Sequence, residues 1–306
     1  MPDRPKHLNL FLLAIVLLAV VLRVYGTLSH PTEPSSDAAD YHRLAIGLVQ
    51  HQGYASPEGA RTAWRPPAYA FFLAGIYEVT GINVERATIA QSLLGGLTVL
   101  LLMVLGSMII GWRESLIAGV IAAVFPVFVW LPRLLLSENL SLFLLLLSLV
   151  TIVLYLRTGK LAWMAAFAIL CALNTLVRGA NLFTPLAVGL GILIIGWRSR
   201  SLNWNRLIAP LLVLAGVFAL TLLPWTIRNY RVFHRPVPVA TQDGLTLYSS
   251  YWPPQHNGRL IWGTLPGNED PVIVAAAQTG DEVAASRYLR QVTLTRLREN
   301  PGFFFG

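Results

Sequence analysis

The chain has 306 residues, 55% hydrophobic and 12% charged, with a formal net charge of +8. Average soluble proteins carry roughly 25% charged residues, so this composition, with a mean hydropathy of +0.59, excludes an ordinary soluble enzyme. Most of the basic excess falls in short loops between apolar runs, where Lys and Arg set membrane orientation; it does not read as a nucleic-acid surface.

Residues 1–7 are short and basic, with Arg4 and Lys6, and precede an apolar run over 8–25 that ends in Arg23-Val24-Tyr25. About 18 residues rising ~1.5 Å each can cross the hydrocarbon core. A secretory leader would have a shorter core and a small-residue cleavage site. The run therefore predicts an uncleaved first span with its N-terminus in the cytoplasm.

Residues 27–85 then form a first external region, which contains Ser36-Asp37-Ala38-Ala39-Asp40-Tyr41. An amphipathic helix is predicted over 37–51, capped by Ser35 or Ser36, with Leu44, Ala45 and Leu48 on its apolar face. Asp37 could act as a general base, bind a cation or simply suit a helix N-terminus. Asp40, three residues on, shares its face and could share a cation with it or raise its pKa. Arg65-Pro66-Pro67-Ala68-Tyr69 follows. Its prolines fix the backbone at the interface, and alone it reads as a rigid turn with a snorkelling arginine. The aromatic-rich segment 68–77 is expected to lie along the interface or to dip into it.

Further spans are predicted near 86–111, 115–132, 135–156, 161–177, 180–197 and 207–226, giving an all-α polytopic membrane protein of about seven helices. The cytoplasmic loops would carry Arg113, then Arg157 and Lys160, then Arg198, Arg200 and Arg206, in keeping with the positive-inside rule. Trp112, Trp163, Trp197, Trp204 and Trp225 fall at segment ends, where indoles favour the headgroup layer.

Several charged groups collect at the predicted outer ends of these spans. Glu138, in Ser137-Glu138-Asn139, opens an apolar helix, and a carboxylate beside hydrocarbon calls for a partner. Arg133 or Arg178 could supply it, either as a structural ion pair or as part of a site. Arg178-Gly179 occupies a very short external turn. In Pro224-Trp225-Thr226-Ile227-Arg228-Asn229-Tyr230-Arg231, Arg228 and Arg231 could grip a phosphate or diphosphate bidentately, or Trp and Arg could merely anchor the helix at the interface.

The domain reading is a transmembrane module over 1–227 and an external region over 228–306, helical near 282–299. Thr241-Gln242-Asp243-Gly244 and the stretch 248–254 suit sugar stacking or plain packing. Pro301-Gly302-Phe303-Phe304-Phe305-Gly306 reads as the start of another span, so the chain is expected to be cut short. The single cysteine, Cys171, reads as a buried small hydrophobe, and the six histidines show no metal-ligand spacing. No Walker A loop, dinucleotide-binding glycine motif, nucleophile elbow or His-Glu-x-x-His helix occurs, which leaves nucleotide hydrolysis, redox chemistry and zinc proteolysis without support.

Taken in order, these pieces resemble the GT-C superfamily of membrane glycosyltransferases, and in particular the bacterial family 39 group, related to protein O-mannosyltransferases and lipid A aminoarabinose transferases. The residues that carry the likeness are Asp37 with Tyr41 and Ala45; Arg65-Pro66-Pro67 with Tyr69; Leu136-Ser137-Glu138; Val177-Arg178; and Pro224-Trp225-Thr226-Ile227-Arg228-Asn229. The resemblance implies transfer of a sugar, with inversion, from a polyprenyl-phosphate donor to a hydroxyl of a lipid, glycan or protein acceptor. It implies Asp37 as general base and Glu138 as the second acid, positioning acceptor or arginine. Arg228, supported by Arg178 and Arg231, would neutralise the departing phosphate. Asp40, Tyr41, Arg65, Tyr69 and Asn229 would position substrate. Asp40 stands where many relatives have an aromatic residue. No cofactor is expected, a divalent cation being the one candidate, and no nucleic acid. The implied location is a bacterial inner membrane with the site facing the exterior. Two other readings are a transporter or flippase for a lipid-linked anion, which would place polar or helix-breaking residues near span midpoints, and a non-catalytic binding subunit.

Overall fold

The structure is a computed structural model that describes residues 8–198, 204–250 and 270–299. Expectations on Arg4, Lys6, Arg200, 251–254 and 301–306 lie outside these residues, as do those on the side chains of Trp197, Arg198, Trp204 and Arg206.

Among the described residues the regular elements are helical. They are α1 (Leu8–Ser29), α2 (Ser36–Val49), α3 (Pro67–Thr80), α4 (Val84–Ile109), α5 (Trp112–Val124), α6 (Pro126–Trp130), α7 (Glu138–Thr158), α8 (Leu161–Val177), α9 (Thr184–Arg198), α10 (Trp204–Phe233), α11 (Asp243–Ser250), α12 (Pro271–Ala277) and α13 (Glu282–Glu299). Among the described residues, four helical segments are each long and apolar enough to cross a membrane: α1, α4, α7 and Ile208–Phe233 of α10. The span predicted near 115–132 falls on a pair of helical segments, Trp112–Val124 and Pro126–Arg133, that meet at 57°. The expected spans near 161–177 and 180–197 appear as the shorter apolar helices Leu161–Val177 and Gly179–Ile194.

The chain divides into two compact units, Met1–Ala60 with Pro66–Pro224, and Arg61–Arg65 with Trp225–Gly306. In the first unit, Ile15, Ala19, Val99, Met103, Ala122 and Ala123 form one apolar cluster. Ile152, Met164, Phe167, Ala168, Cys171 and Leu214 form another. Apolar burial decides little between helices already in hydrocarbon, so close packing and polar links between them count for more.

One such link is Arg23, only 2% exposed although it sits in the first span. Its guanidinium donates to the carbonyls of Ala19 (2.9 Å), Ala123 (3.1 Å) and Ala122 (3.0 Å). Pro126 explains the last of these. Lacking an N–H, it cannot take the Ala122 carbonyl four residues back, and the final carbonyls of α5 need an outside donor. The helix bends there, and Arg23 caps the break. Gly95 makes room for it: a Cβ there would stand 2.8 Å from both Cδ and Nε of Arg23.

In the second unit, α11, α12 and α13 close around Tyr248, Ala276 and Leu289. Asp270 caps α12 through the backbone N–H groups of Val272 and Ile273 and accepts from the Tyr248 hydroxyl at 3.0 Å. Gly244 packs directly on α13, where a Cβ would stand 2.2 Å from the Ser286 carbonyl oxygen. The segment Arg61–Arg65 belongs here: Thr62 Oγ1 and the Ala63 N–H both donate to the Glu282 carboxylate, and the Thr241 N–H donates to the Ala63 carbonyl.

Candidate active site

In the first unit, two helix N-termini bring carboxylates to one cleft. Ser35 is the backbone cap of α2 but makes no side-chain capping bond, and Asp37 stands exposed in the first turn. Glu138 is the first residue of α7. Negative charge suits both positions, because unpaired N–H groups and the helix dipole point there. Asp37 and Glu138 line a cleft of about 290 Å³ with Glu33, Arg133, Leu135 and Leu136. A second cleft of about 580 Å³ shares Thr32, Glu33, Pro34 and Arg133 with it and reaches Asn83 and Glu85 at the start of α4.

The arginines divide their tasks. Arg178 Nη1 lies 2.5 Å from Glu138 Oε1, with both side chains 40% exposed. Arg178 is therefore the carboxylate's partner. The turn after it is tied down by Asn181, which donates to Ser141 Oγ at 3.0 Å. Arg133 donates from Nε and Nη2 to the His30 carbonyl at 3.1 and 2.8 Å, pinning the chain that leaves α1 to the wall of the cleft. Asp40 pairs with Arg43 at 2.5 Å.

Behind the cleft lies a buried polar chain. Tyr41 of α2 packs edge-on against Tyr69 of α3, ring centroids 4.8 Å apart. Tyr69, whose backbone position follows from Pro67 at the first turn of α3, is wholly buried. Burial, helped by Tyr77, Tyr41 and Glu138, pushes its phenol well above the usual range. It stays protonated and donates to Gln91 Oε1 at 2.6 Å. Gln91 does not stand out in the sequence. The one available signal was an uncharged amide set in an apolar helix, where hydrogen-bonding groups join neighbours.

The second unit holds the remaining residues singled out in the sequence. Arg228 donates to the Thr62 carbonyl at 2.7 Å and to Asn229 Oδ1 at 2.9 Å, and its guanidinium lies 4.9 Å from the Trp225 ring centroid. Asn229 is fully buried and donates to the Val237 carbonyl at 2.9 Å. Arg65 donates to Gln242 Oε1 at 2.9 Å. Arg231 is exposed. Trp225 lies within α10, which runs on to Phe233. It is buried and donates to the Val239 carbonyl at 2.6 Å.

No group of three or more His, Cys, Asp or Glu among the described residues is arranged to hold a metal ion. The charged side chains so placed are an exposed carboxylate at Asp37, a second at Glu138 paired with Arg178, and the Arg228 guanidinium over the Trp225 indole.

No curated protein matches the chain. The family described as dolichyl-phosphate-mannose-protein mannosyltransferase matches residues 64–226, more than half of the sequence. The matched stretch contains Arg65, Tyr69, Gln91, Glu138 and Arg178, begins after Asp37 and ends just before Arg228. With this match over a multi-helix apolar frame, the chain belongs to the dolichyl-phosphate-mannose-protein mannosyltransferase family, membrane glycosyltransferases that use a lipid-linked sugar.

Proposed function

We propose that this protein is an inverting glycosyltransferase of the GT-C type that moves a sugar from a polyprenyl-phosphate donor to a hydroxyl acceptor at the outer face of a bacterial inner membrane. The observation that carries the reading is the shared cleft of Asp37 and Glu138, with Arg178 on the second acid. The acceptor oxygen attacks the anomeric carbon from the face opposite the phosphate. Its proton passes to the Asp37 carboxylate. The bond between the anomeric carbon and the phosphate oxygen breaks, and its electron pair leaves with the phosphate. That leaving group needs little protonation, so a second proton donor is not required. Glu138, fixed by Arg178, orients the acceptor or the arginine itself.

Arg228 is assigned to the departing phosphate with Arg178 and Arg231, since fixed positive charge lowers the barrier where negative charge develops. Asp40, Tyr41, Arg65, Tyr69 and Asn229 are assigned to positioning, directly or through their neighbours. Four long helices, one bent pair and two shorter apolar helices would make seven spans, with the N-terminus inside and the region after 227 outside.

The test is transfer from a radiolabelled polyprenyl-phosphate sugar pool in membranes carrying wild type or Asp37→Asn. Loss of a general base costs about 10²–10⁴-fold, so labelled product is expected from wild type alone. Equal product from both removes Asp37 as the base. Binding of the donor without transfer by the wild type favours a transport or binding role.

A further inference from the structure

We infer that Gln91 is the positioning residue that sets the spacing between the two carboxylate-bearing elements of the cleft. The inference rests on the proposed roles of Asp37 and Glu138. Gln91 is fully buried in α4, and every hydrogen-bonding position of its carboxamide is engaged. Nε2 donates to the Pro132 carbonyl at 3.1 Å and to the Leu134 carbonyl at 2.9 Å. Oε1 accepts from Tyr69 at 2.6 Å and from Asn139 Nδ2 at 3.4 Å. An amide has two donors and two lone pairs, so none is left over. The two carbonyls can only accept, which fixes which end of the amide faces which partner.

The consequence is geometric. Pro132, Leu134 and Asn139 flank the turn that presents Arg133 and Glu138. Tyr69 leads instead to Tyr41, one helical turn from Asp37 on α2. One amide therefore ties the Glu138 side of the cleft to the Asp37 side through a rigid buried path, without touching the cleft itself. Reacting groups must be held within fractions of an ångström, and a 1 Å misplacement can cost about 10²-fold in rate. A Leu at position 91 removes all four bonds. A Glu keeps the acceptor for Tyr69 but, while ionised, sets a carboxylate against two carbonyl oxygens. Protonated, it regains one donor.

The experiment uses the full chain in membranes and a thiol placed by Leu136→Cys, at the lining of the cleft. Cys171, the only native cysteine and 1% exposed, serves as the monitor of global unfolding. A membrane-impermeant maleimide is the probe. Gln91→Leu and Gln91→Glu are expected to raise labelling at position 136 about tenfold over the Gln91 background at the same pH, with Cys171 unlabelled. For Gln91→Glu this ratio should fall toward one as pH is lowered. Transfer by Gln91→Glu, without the reporter thiol, should show kcat reduced about 10–100-fold at pH 8 with donor KM unchanged, recovering on acidification.

Unchanged labelling in both variants overturns the inference. If Gln91→Leu also exposes Cys171, Gln91→Glu decides, and a labelling ratio that does not vary with pH overturns it. If labelling behaves as expected but the wild type transfers no sugar, the positioning role stands and the transferase reading falls.

Discussion

Arg23 and Arg178 are two arginines of the same unit held in opposite ways. Arg23 is buried among apolar helices and is met by neutral backbone carbonyls on α1 and α5. Arg178 is 40% exposed and meets a carboxylate that also faces an open cleft. An intramembrane guanidinium is usually taken as a functional mark, yet the partners separate the two cases. Carbonyls left without donors by a proline break need a rigid, permanent donor, and Arg23 fills that need. A carboxylate beside solvent gains little from its ion pair, so stability alone does not account for Arg178 and Glu138.

The sharpest way to break this contrast is to remove each arginine in turn. Arg23→Met leaves the buried Ala122 and Ala123 carbonyls without their donor, at about 1–3 kcal/mol for each stranded group. The expected result is a clear drop in the thermal midpoint in detergent, with transfer per folded molecule retained. Arg178→Ala should cost under about 1 kcal/mol of stability, as exposed pairs do, while transfer falls by at least tenfold. A stable Arg23→Met protein would show that the bend at Pro126 needs no cap. An unstable but fully active Arg178→Ala protein would reverse the assignment.

The same contrast explains what the sequence could reveal. Long apolar runs and their breaks give the helices, and α13 appears at the predicted 282–299 because its polar helical pattern is local. Acids and arginines beside hydrocarbon stand out, so Glu138 and its candidate partner Arg178 could be picked without coordinates. Gln91 could not, because its partners lie 22, 41, 43 and 48 residues away and two of them are backbone carbonyls. Arg23 reads in the sequence only as the end of a span, because its role depends on a proline break about 100 residues later. The segment Arg61–Arg65 read as part of the first external loop, whereas Glu282 and Thr241, distant in sequence, bind it into the second unit.

A smaller effect sharpens the description of the second unit. Gly244 lets α11 rest on α13, its N–H donating to Ser286 Oγ at 3.1 Å. Gly244→Ala would drive a methyl into the Ser286 backbone. Overpacking of this kind costs about 1–3 kcal/mol, so faster proteolysis of the region after 225 is expected, with the helices of the first unit still protected. Unchanged proteolysis would mean that α11 can shift away from α13 at little cost.

The smallest expected effect concerns α2, the helix that carries Asp37. His42 Nδ1 lies 2.8 Å from the Tyr77 hydroxyl, and the two rings meet edge to face at 5.6 Å. Burial lifts the Tyr77 phenol to about 12, so it remains a neutral donor and the imidazole accepts. Burial also lowers the His42 pKa. Between that lowered value and the ordinary one near 6.5, the unfolded chain binds a proton that the folded chain refuses. Stability contributed by neutral His42 is therefore complete above about pH 6.5 and is lost as pH falls through the folded value. Thermal midpoints measured from pH 7.5 down to 5 should fall more steeply for wild type than for His42→Gln, which has no imidazole to protonate. Parallel slopes would mean that the acid sensitivity arises elsewhere, and that the contact of α2 with α3 does not depend on His42 staying neutral.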